Sequence, residues 1–278
     1  MLPNLLIIGA QKAGTSSLHS YLRLHPDIQM SRAKELNFFA GGLAWQRGLD
    51  WYGSWFEGSE PIHGESSTSY TMFPFVRGVP ERIHSVIPRL RLIYVVRDPV
   101  ERIISEYLHH WARGREPRSL AEVVSDPGFP DSRYVETSRY FKQIERYLEH
   151  FDRERLLIVL HEDLLEERHV VLARIFRFLE VDDSFVSPEF AIEYNVSRDR
   201  RLHAALLRSV RRRLHRLPKL HALAHRVLLA RRVEQIMSRE LERPPLDPAL
   251  RDRAAECLHS DVERLRQFTG LRLGSWSV

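Results

Sequence analysis

The stretch Leu5-Leu6-Ile7-Ile8-Gly9-Ala10-Gln11-Lys12-Ala13-Gly14-Thr15-Ser16-Ser17-Leu18 decides the fold class. A short apolar run closed by glycine reads as a buried strand, and a glycine-bearing turn then leads through hydroxyl residues into the leucine periodicity of a helix. Strand, loop and helix in that order make a cradle for an anion. Backbone N–H groups around Gly14 and at the helix start point at the ligand, the helix dipole adds to their field, and the hydroxyls of Thr15, Ser16 and Ser17 supply further donors.

Gly9 and Gly14 keep the spacing of the nucleotide loop G-x-x-x-x-G-K-[ST], but Thr15 stands where that pattern needs lysine. The lysine of this loop, Lys12, lies inside it and meets a phosphate from the other side of the turn. That position suits a leaving phosphate better than a β/γ-phosphate pair with magnesium. A second stretch strengthens the reading: Arg91-Leu92-Ile93-Tyr94-Val95-Val96-Arg97-Asp98-Pro99-Val100-Glu101-Arg102-Ile103-Ile104-Ser105-Glu106-Tyr107. It is a buried strand ending in Arg-Asp-Pro, followed by a helix whose first turn takes the proline and a glutamate. Ser105 falls about two turns into that helix, so Arg97 and Ser105 are placed to reach one anion together.

Together the two stretches carry a resemblance. Gln11 through Leu18 resembles the 5′-phosphosulfate loop of sulfotransferases that use 3′-phosphoadenosine 5′-phosphosulfate (PAPS), and Arg97 through Ser105 resembles their 3′-phosphate site. The resemblance implies a P-loop-like α/β fold, PAPS as co-substrate with 3′-phosphoadenosine 5′-phosphate as product, and no metal. It also implies donor contacts from Gln11, Lys12, Ala13, Gly14, Thr15, Ser16, Ser17, Arg97 and Ser105.

Read alone, Lys34-Glu35-Leu36-Asn37-Phe38-Phe39 is an edge loop anchored by two phenylalanines, with Lys34 and Glu35 solvated. It resembles the K-E-x-x-F-F stretch of heparan-sulfate-type and related bacterial sulfotransferases, which implies that Glu35 is the base for an acceptor hydroxyl. Asn37 stands where members often have histidine; it can orient a hydroxyl but cannot take its proton, so Glu35 is the sole candidate. Ile62 to Tyr70 resembles the family's G-E-x-[ST]-x-x-Y segment beside the acceptor. Ser66 occupies the place where some carbohydrate members carry a catalytic lysine, so the resemblance does not extend glycosaminoglycan specificity to this chain. Near the end, Asp247 reads as an N-cap and Pro248 as a first helical position, opening a helix to about Thr269 that resembles the closing segment of bacterial sulfotransferases.

The rest of the chain frames these motifs. Its 278 residues, 43% of them hydrophobic, suffice for one core, and we expect a single domain over 1–278. The net charge of +5 suits anionic ligands without identifying one. Cys257 is the only cysteine, which excludes an intrachain disulfide and a thiolate metal site. The apolar run Leu5 to Ile8 is too short for a membrane helix and lacks the shape of a signal peptide, so the expected location is cytoplasmic.

Aromatic residues crowd Leu43 to Phe56, either as a sugar-stacking wall or as a packed insertion helix. After the first helix a short strand is expected near Ile28 to Ser31, a short helix at Val79 to Val86, a core-facing aromatic stripe over Ser132 to Phe151, where Ser138 and Tyr140 meet the core or the acceptor, a strand at Leu156 to Leu160 and a helix from about Glu166 to Leu179. Strands alternating with helices predict a mostly parallel sheet with helices on both faces and ligands at the carboxyl ends of the strands. The region 198–234 is a basic helical insertion, rich in arginine with leucine and alanine interleaved. It reads as a solvated face, a cover for the co-substrate, a contact for an acidic acceptor or a segment lying on an anionic membrane. No nucleic-acid module surrounds it.

The reading that follows is an O-sulfotransferase acting on a hydroxyl of a carbohydrate, glycolipid or small natural product, with Glu35 taking the proton and Lys12 stabilising the leaving phosphate. Two rivals stay open at the level of sequence. A P-loop kinase or NTPase would need the Walker lysine and a metal-binding aspartate at a strand end, whereas Asp98 is followed by proline. A non-enzymatic protein binding anions or a membrane surface would depend on the arginine-rich segment and not on Glu35.

Overall fold

Residues 1–192 and 246–278 are described in the computed structural model; the arginine-rich segment 198–234 lies outside the described residues. Five parallel strands form one sheet in the order β2-β3-β1-β4-β5: β1 Leu5–Gly9, β2 Ile28–Met30, β3 Ile62–Ser66, β4 Arg91–Val96 and β5 Leu156–Leu160. β1 and β3 are buried at every residue and β4 at all but its first; β1 and β4 accordingly read as continuous apolar runs, whereas β3 buries the polar side chains of His63, Glu65 and Ser66. Parallel pairing sets Leu6 beside Glu65 and Ile7 beside Ser66, and on the other side Ile7 beside Ile93. The chain builds β2 and β3 on one flank of β1 and then crosses to β4 and β5 on the other. The crevice at such a reversal, outside the carboxyl ends of the strands, is where α/β sheets bind ligands.

Helices connect and flank these strands. α1 spans Thr15–Leu22, α2 and α3 are the short Gly42–Gln46 and Gly48–Gly53, and α4 is Val79–Val86. α5, Pro99–Ala112, begins on an Asp98 cap whose carboxylate accepts the N–H groups of Val100 and Glu101. α6 is Leu120–Ser125, α7 Arg133–Glu136 and α8 Tyr140–Leu148; α9 His161–Glu166 and α10 Arg168–Leu179 follow β5. α11, Pro248–Glu256, is capped by Asp247, and α12 spans His259–Thr269.

Three elements differ from the sequence reading. The helix expected from about Glu166 to Leu179 forms as α10, but a separate short helix, α9, precedes it from His161, and Glu167, with a φ of −122°, divides the two. The closing helix is two helices, interrupted at Cys257 and Leu258. The aromatic stretch Leu43 to Phe56 forms two short helices and not one. At the end of β1, glycine is required: a Cβ on Gly9 would lie 2.0 Å from Thr71 Oγ1, and that hydroxyl donates to the Ile8 carbonyl at 3.0 Å. Among the described residues no helix is long and apolar enough to cross a membrane.

Candidate active site

The phosphate loop hangs between β1 and α1. Lys12 has a φ of +75° and Gly14, the residue preceding α1, a φ of +95°. Left-handed backbone is rare for a lysine and marks a turn held by its surroundings. A Cβ on Gly14 would meet His161 Nδ1 at 2.7 Å, so glycine lets the turn press against α9. Burial, followed by the charge of Arg97, lowers the His161 pKa to about 4, and the ring stays neutral at physiological pH. Ala13 and Thr15 are buried, Gln11, Ser16 and Ser17 half-buried. The side-chain oxygen of Gln11 is buried with no hydrogen-bond partner among the described residues.

Two arginines tie this loop to α5. Arg97, at the end of β4, directs Nη1 to the Lys12 carbonyl at 3.5 Å, and its own carbonyl accepts the Tyr140 hydroxyl at 2.8 Å. Ser105 is buried on α5. Arg102, which sequence reasoning passed over, is fully buried. It donates to the carbonyls of Gln11 at 3.3 Å and Tyr134 at 2.7 Å, and pairs with Glu106 at 2.8 Å. Burial alone would raise the Glu106 pKa, but the charge of Arg102, a hydrogen bond from His110 and the charge of Arg133 outweigh it and hold the carboxyl at about 2. The signal was present: Arg102 and Glu106 are four apart on a helix whose neighbours at Ile103 and Tyr107 are apolar.

The acceptor-side loops follow β2 and β3. Glu35 has a φ of +68°, and its N–H bonds the Ser66 carbonyl at 2.9 Å. One oxygen, Oε1, accepts the Thr68 hydroxyl at 3.1 Å and lies 3.3 Å from Lys34 Nζ. Lys34 Nζ is also 3.3 Å from Thr15 Oγ1, in the first turn of α1. The lysine that looked solvated in sequence therefore joins the phosphate loop to the candidate base, with 21% of its side chain exposed against 41% for Glu35. Burial, with the charge of Lys34 next, lowers the pKa of nearby His19 to about 4. Asn37 orients the loop: its amide donates to the Glu35 carbonyl at 2.8 Å and its oxygen accepts the Ser69 hydroxyl at 2.5 Å.

Glu65 lies beneath this loop, fully buried. It accepts the hydroxyls of Tyr52 at 2.5 Å, Tyr70 at 2.9 Å and Ser67. Tyr52 stacks on Phe38 at 4.2 Å with the planes 6° apart, and Trp45 tilts against the same phenylalanine at 5.0 Å. The aromatic stretch thus packs the Glu35 loop from behind, with Trp45, Trp51 and Trp55 half-buried. Ser138 and Tyr140 belong to the core, where Ser138 accepts from Arg102. No group of three or more His, Cys, Asp or Glu side chains among the described residues is placed to hold a metal ion.

Residues 2–194 match the model of the family described as Sulfotransferase domain. Among curated proteins, the bifunctional heparan sulfate N-deacetylase/N-sulfotransferase 1 of Caenorhabditis elegans is 29% identical over 206 residues, 69% of this chain and 23% of that protein. Heparan sulfate glucosamine 3-O-sulfotransferase 5 of Mus musculus is 31% identical over 191 residues, 65% of this chain and 54% of that protein. The matched part thus spans between 23% and 54% of the length of these relatives. Among solved structures, a sulfotransferase from Alicyclobacillus acidocaldarius aligns over 100% of both chains at 25% identity with a TM-score of 0.71. A family match over residues 2–194 that runs through both phosphate motifs and the Glu35 loop settles the relationship: the chain belongs to the sulfotransferase family, enzymes that move a sulfate group to an acceptor.

Proposed function

We propose that the protein transfers a sulfuryl group from PAPS to a hydroxyl of a carbohydrate, glycolipid or small-molecule acceptor. The observation that carries this reading is Lys34, whose Nζ is 3.3 Å from both Thr15 of the phosphate loop and Glu35. One cation thus bridges the candidate base and the phosphate cradle, so the two lie on one site. The residues fit the donor: the loop has a lysine, three hydroxyls and the start of a helix, and Gln11 brings a buried oxygen without a partner among the described residues.

PAPS supplies a sulfuryl group already activated as a phosphosulfate. Thr15, Ser16, Ser17 and the backbone N–H groups of the loop, with Gln11, Ala13 and Gly14 shaping it, hold the 5′-phosphate. Lys12 neutralises the charge on the leaving phosphate oxygen as the bond to sulfur breaks. Arg97 and Ser105 select the 3′-phosphate. Glu35 accepts the acceptor's proton at Oε2 while Thr68 and Lys34 fix Oε1, and the acceptor oxygen forms the new bond to sulfur. A positioned base of this kind contributes roughly 10²- to 10⁴-fold, and loss of Lys12 costs roughly 10²- to 10³-fold in turnover, by analogy with other preorganised charge stabilisation. The relatives named for heparan sulfate glucosamine make a saccharide the first acceptor class to try.

The test is calorimetric titration with 3′-phosphoadenosine 5′-phosphate, beside ATP with magnesium, in wild type and Arg97→Ala. Tight binding that needs both the 3′-phosphate and Arg97 is expected. Preference for ATP, or binding to neither, overturns the donor reading.

A further inference from the structure

Arg97 does not face its carboxylate neighbour alone. Glu101 Oε2 lies 3.8 Å from Arg97 Nη2, and Glu101 Oε1 accepts Arg251 Nη2, on α11, at 2.9 Å. Arg251 Nη1 donates in turn to Ser277 Oγ at 2.8 Å. Ser277 closes the circuit on the residue after Arg97: its N–H and its hydroxyl both reach Asp98 Oδ2 at 2.7 Å. The other Asp98 oxygen caps α5, so this carboxylate is saturated by hydrogen bonds. Glu162 bonds the Asp98 N–H at 2.9 Å, and neighbouring His161 is neutral.

The charges decide what a phosphate would meet. An isolated Arg97–Glu101 pair is neutral and offers an incoming dianion little net field. With Arg251 on the other oxygen, Arg97, Glu101 and Arg251 carry one more positive charge than the pair, beside the hydrogen-bonded carboxylate of Asp98, at a site where the three side chains are 22%, 20% and 33% exposed, open to a ligand yet partly shielded from salt. The two arginines are held by different parts of the chain, so the arrangement cannot be read from the Arg-Asp-Pro motif.

We propose that Arg251, held by Ser277, is a specificity-determining positioning residue for the donor: it shares Glu101 with Arg97, so that Arg97 meets a 3′-phosphate as a cation and not as half of a neutral pair. This rests on the donor reading above.

The test compares binding of 3′-phosphoadenosine 5′-phosphate with that of adenosine 5′-phosphate, which lacks the 3′-phosphate, in wild type, Arg251→Met and the double variant Arg251→Met with Glu101→Gln. Arg251→Met is expected to weaken the first ligand roughly tenfold and leave the second unchanged, and the double variant to recover most of the loss by removing the carboxylate that pairs with Arg97. A merely structural role would weaken both ligands and show no recovery. An unchanged ratio, an equal loss for both ligands, or a double variant no better than the single one overturns the proposal. Should Arg251→Met fail to fold, Ser277→Ala, which removes one hydroxyl, must show the same selective loss in smaller degree; an unchanged ratio there overturns it equally. A wild-type protein that does not prefer the 3′-phosphorylated ligand refutes the donor reading itself, which separates the two failures.

Discussion

Glu35 and Glu65 flank the same pair of loops and are joined through Ser67, which accepts the Asn37 N–H and donates to Glu65, yet their surroundings are opposite. Glu35 is 41% exposed, sits on left-handed backbone and has a cation and a hydroxyl on one oxygen. Glu65 is fully buried, has no cation within ion-pair distance among the described residues and is enclosed by hydroxyls; burial pushes its pKa up, and the hydrogen bonds from Ser67, Tyr52 and Tyr70 pull against it. A carboxylate enclosed by three donors organises the loops but has no route to a substrate. The exposed one can meet an acceptor while the buried one keeps it in place.

The contrast can be broken or sharpened by four experiments. Glu35→Gln should lower turnover by roughly 10²- to 10⁴-fold with donor affinity intact and unfolding free energy within about 0.5 kcal/mol of wild type. Sulfation assays beside calorimetry and chemical unfolding would show it, and near-normal turnover ends the base assignment. Glu65→Ala should behave in the reverse way, losing about 3 kcal/mol of stability because three buried hydroxyls lose their acceptor. A stable Glu65→Ala protein with little sulfation would instead give Glu65 a direct part in the chemistry.

Lys34→Met should reduce turnover about tenfold while donor binding changes little, since the cation acts where charge develops between loop and base; a steady-state comparison of kcat and KM reads this. The smallest effect is on pH dependence. Because burial raises the folded-state pKa of Glu65 above its ordinary 4.5, folding takes up a proton between those two values. The stability Glu65 contributes is complete below about 4.5 and declines as the pH rises through the raised value. In urea unfolding at a series of pH values, Glu65→Gln should therefore gain on wild type as the pH rises; a difference constant with pH would mean that burial does not perturb this group.

What the sequence made legible was local. Gly9 and Gly14 fix a turn within one loop, Asp98-Pro99 and Asp247-Pro248 cap their own helices, and the apolar runs mark their own strands, so each could be read from a few neighbouring residues. The functions of Lys34, Arg102, Glu65 and Arg251 depend on register between distant segments. Lys34 reaches Thr15 because β2 and β1 stand on either side of β3, and Tyr52 reaches Glu65 because Phe38 stacks beneath it. A lysine beside a glutamate, or an arginine on an amphipathic helix, has the same local pattern whether it faces water or closes a network. The motif resemblance singled out Glu35 and the proposed phosphate contacts, but it assigned no role to Lys34, Arg102 and Glu65, which stand inside the quoted stretches, or to Arg251.

The strand order also bears on how such a chain could change its substrate. The groups assigned to the donor depend on the ends of β1 and β4, whereas those assigned to the acceptor depend on the ends of β2 and β3, on the opposite flank of β1. Besides the pairing of β1 with β3, the halves are joined at the ends of the strands by the Ser67 N–H on the Ile7 carbonyl, the Thr71 hydroxyl on the Ile8 carbonyl, and Lys34 on Thr15. An exchange of the β2–β3 flank that keeps those links is expected to alter what is sulfated while leaving the proposed donor site in place, so the strand order would let the two specificities change separately.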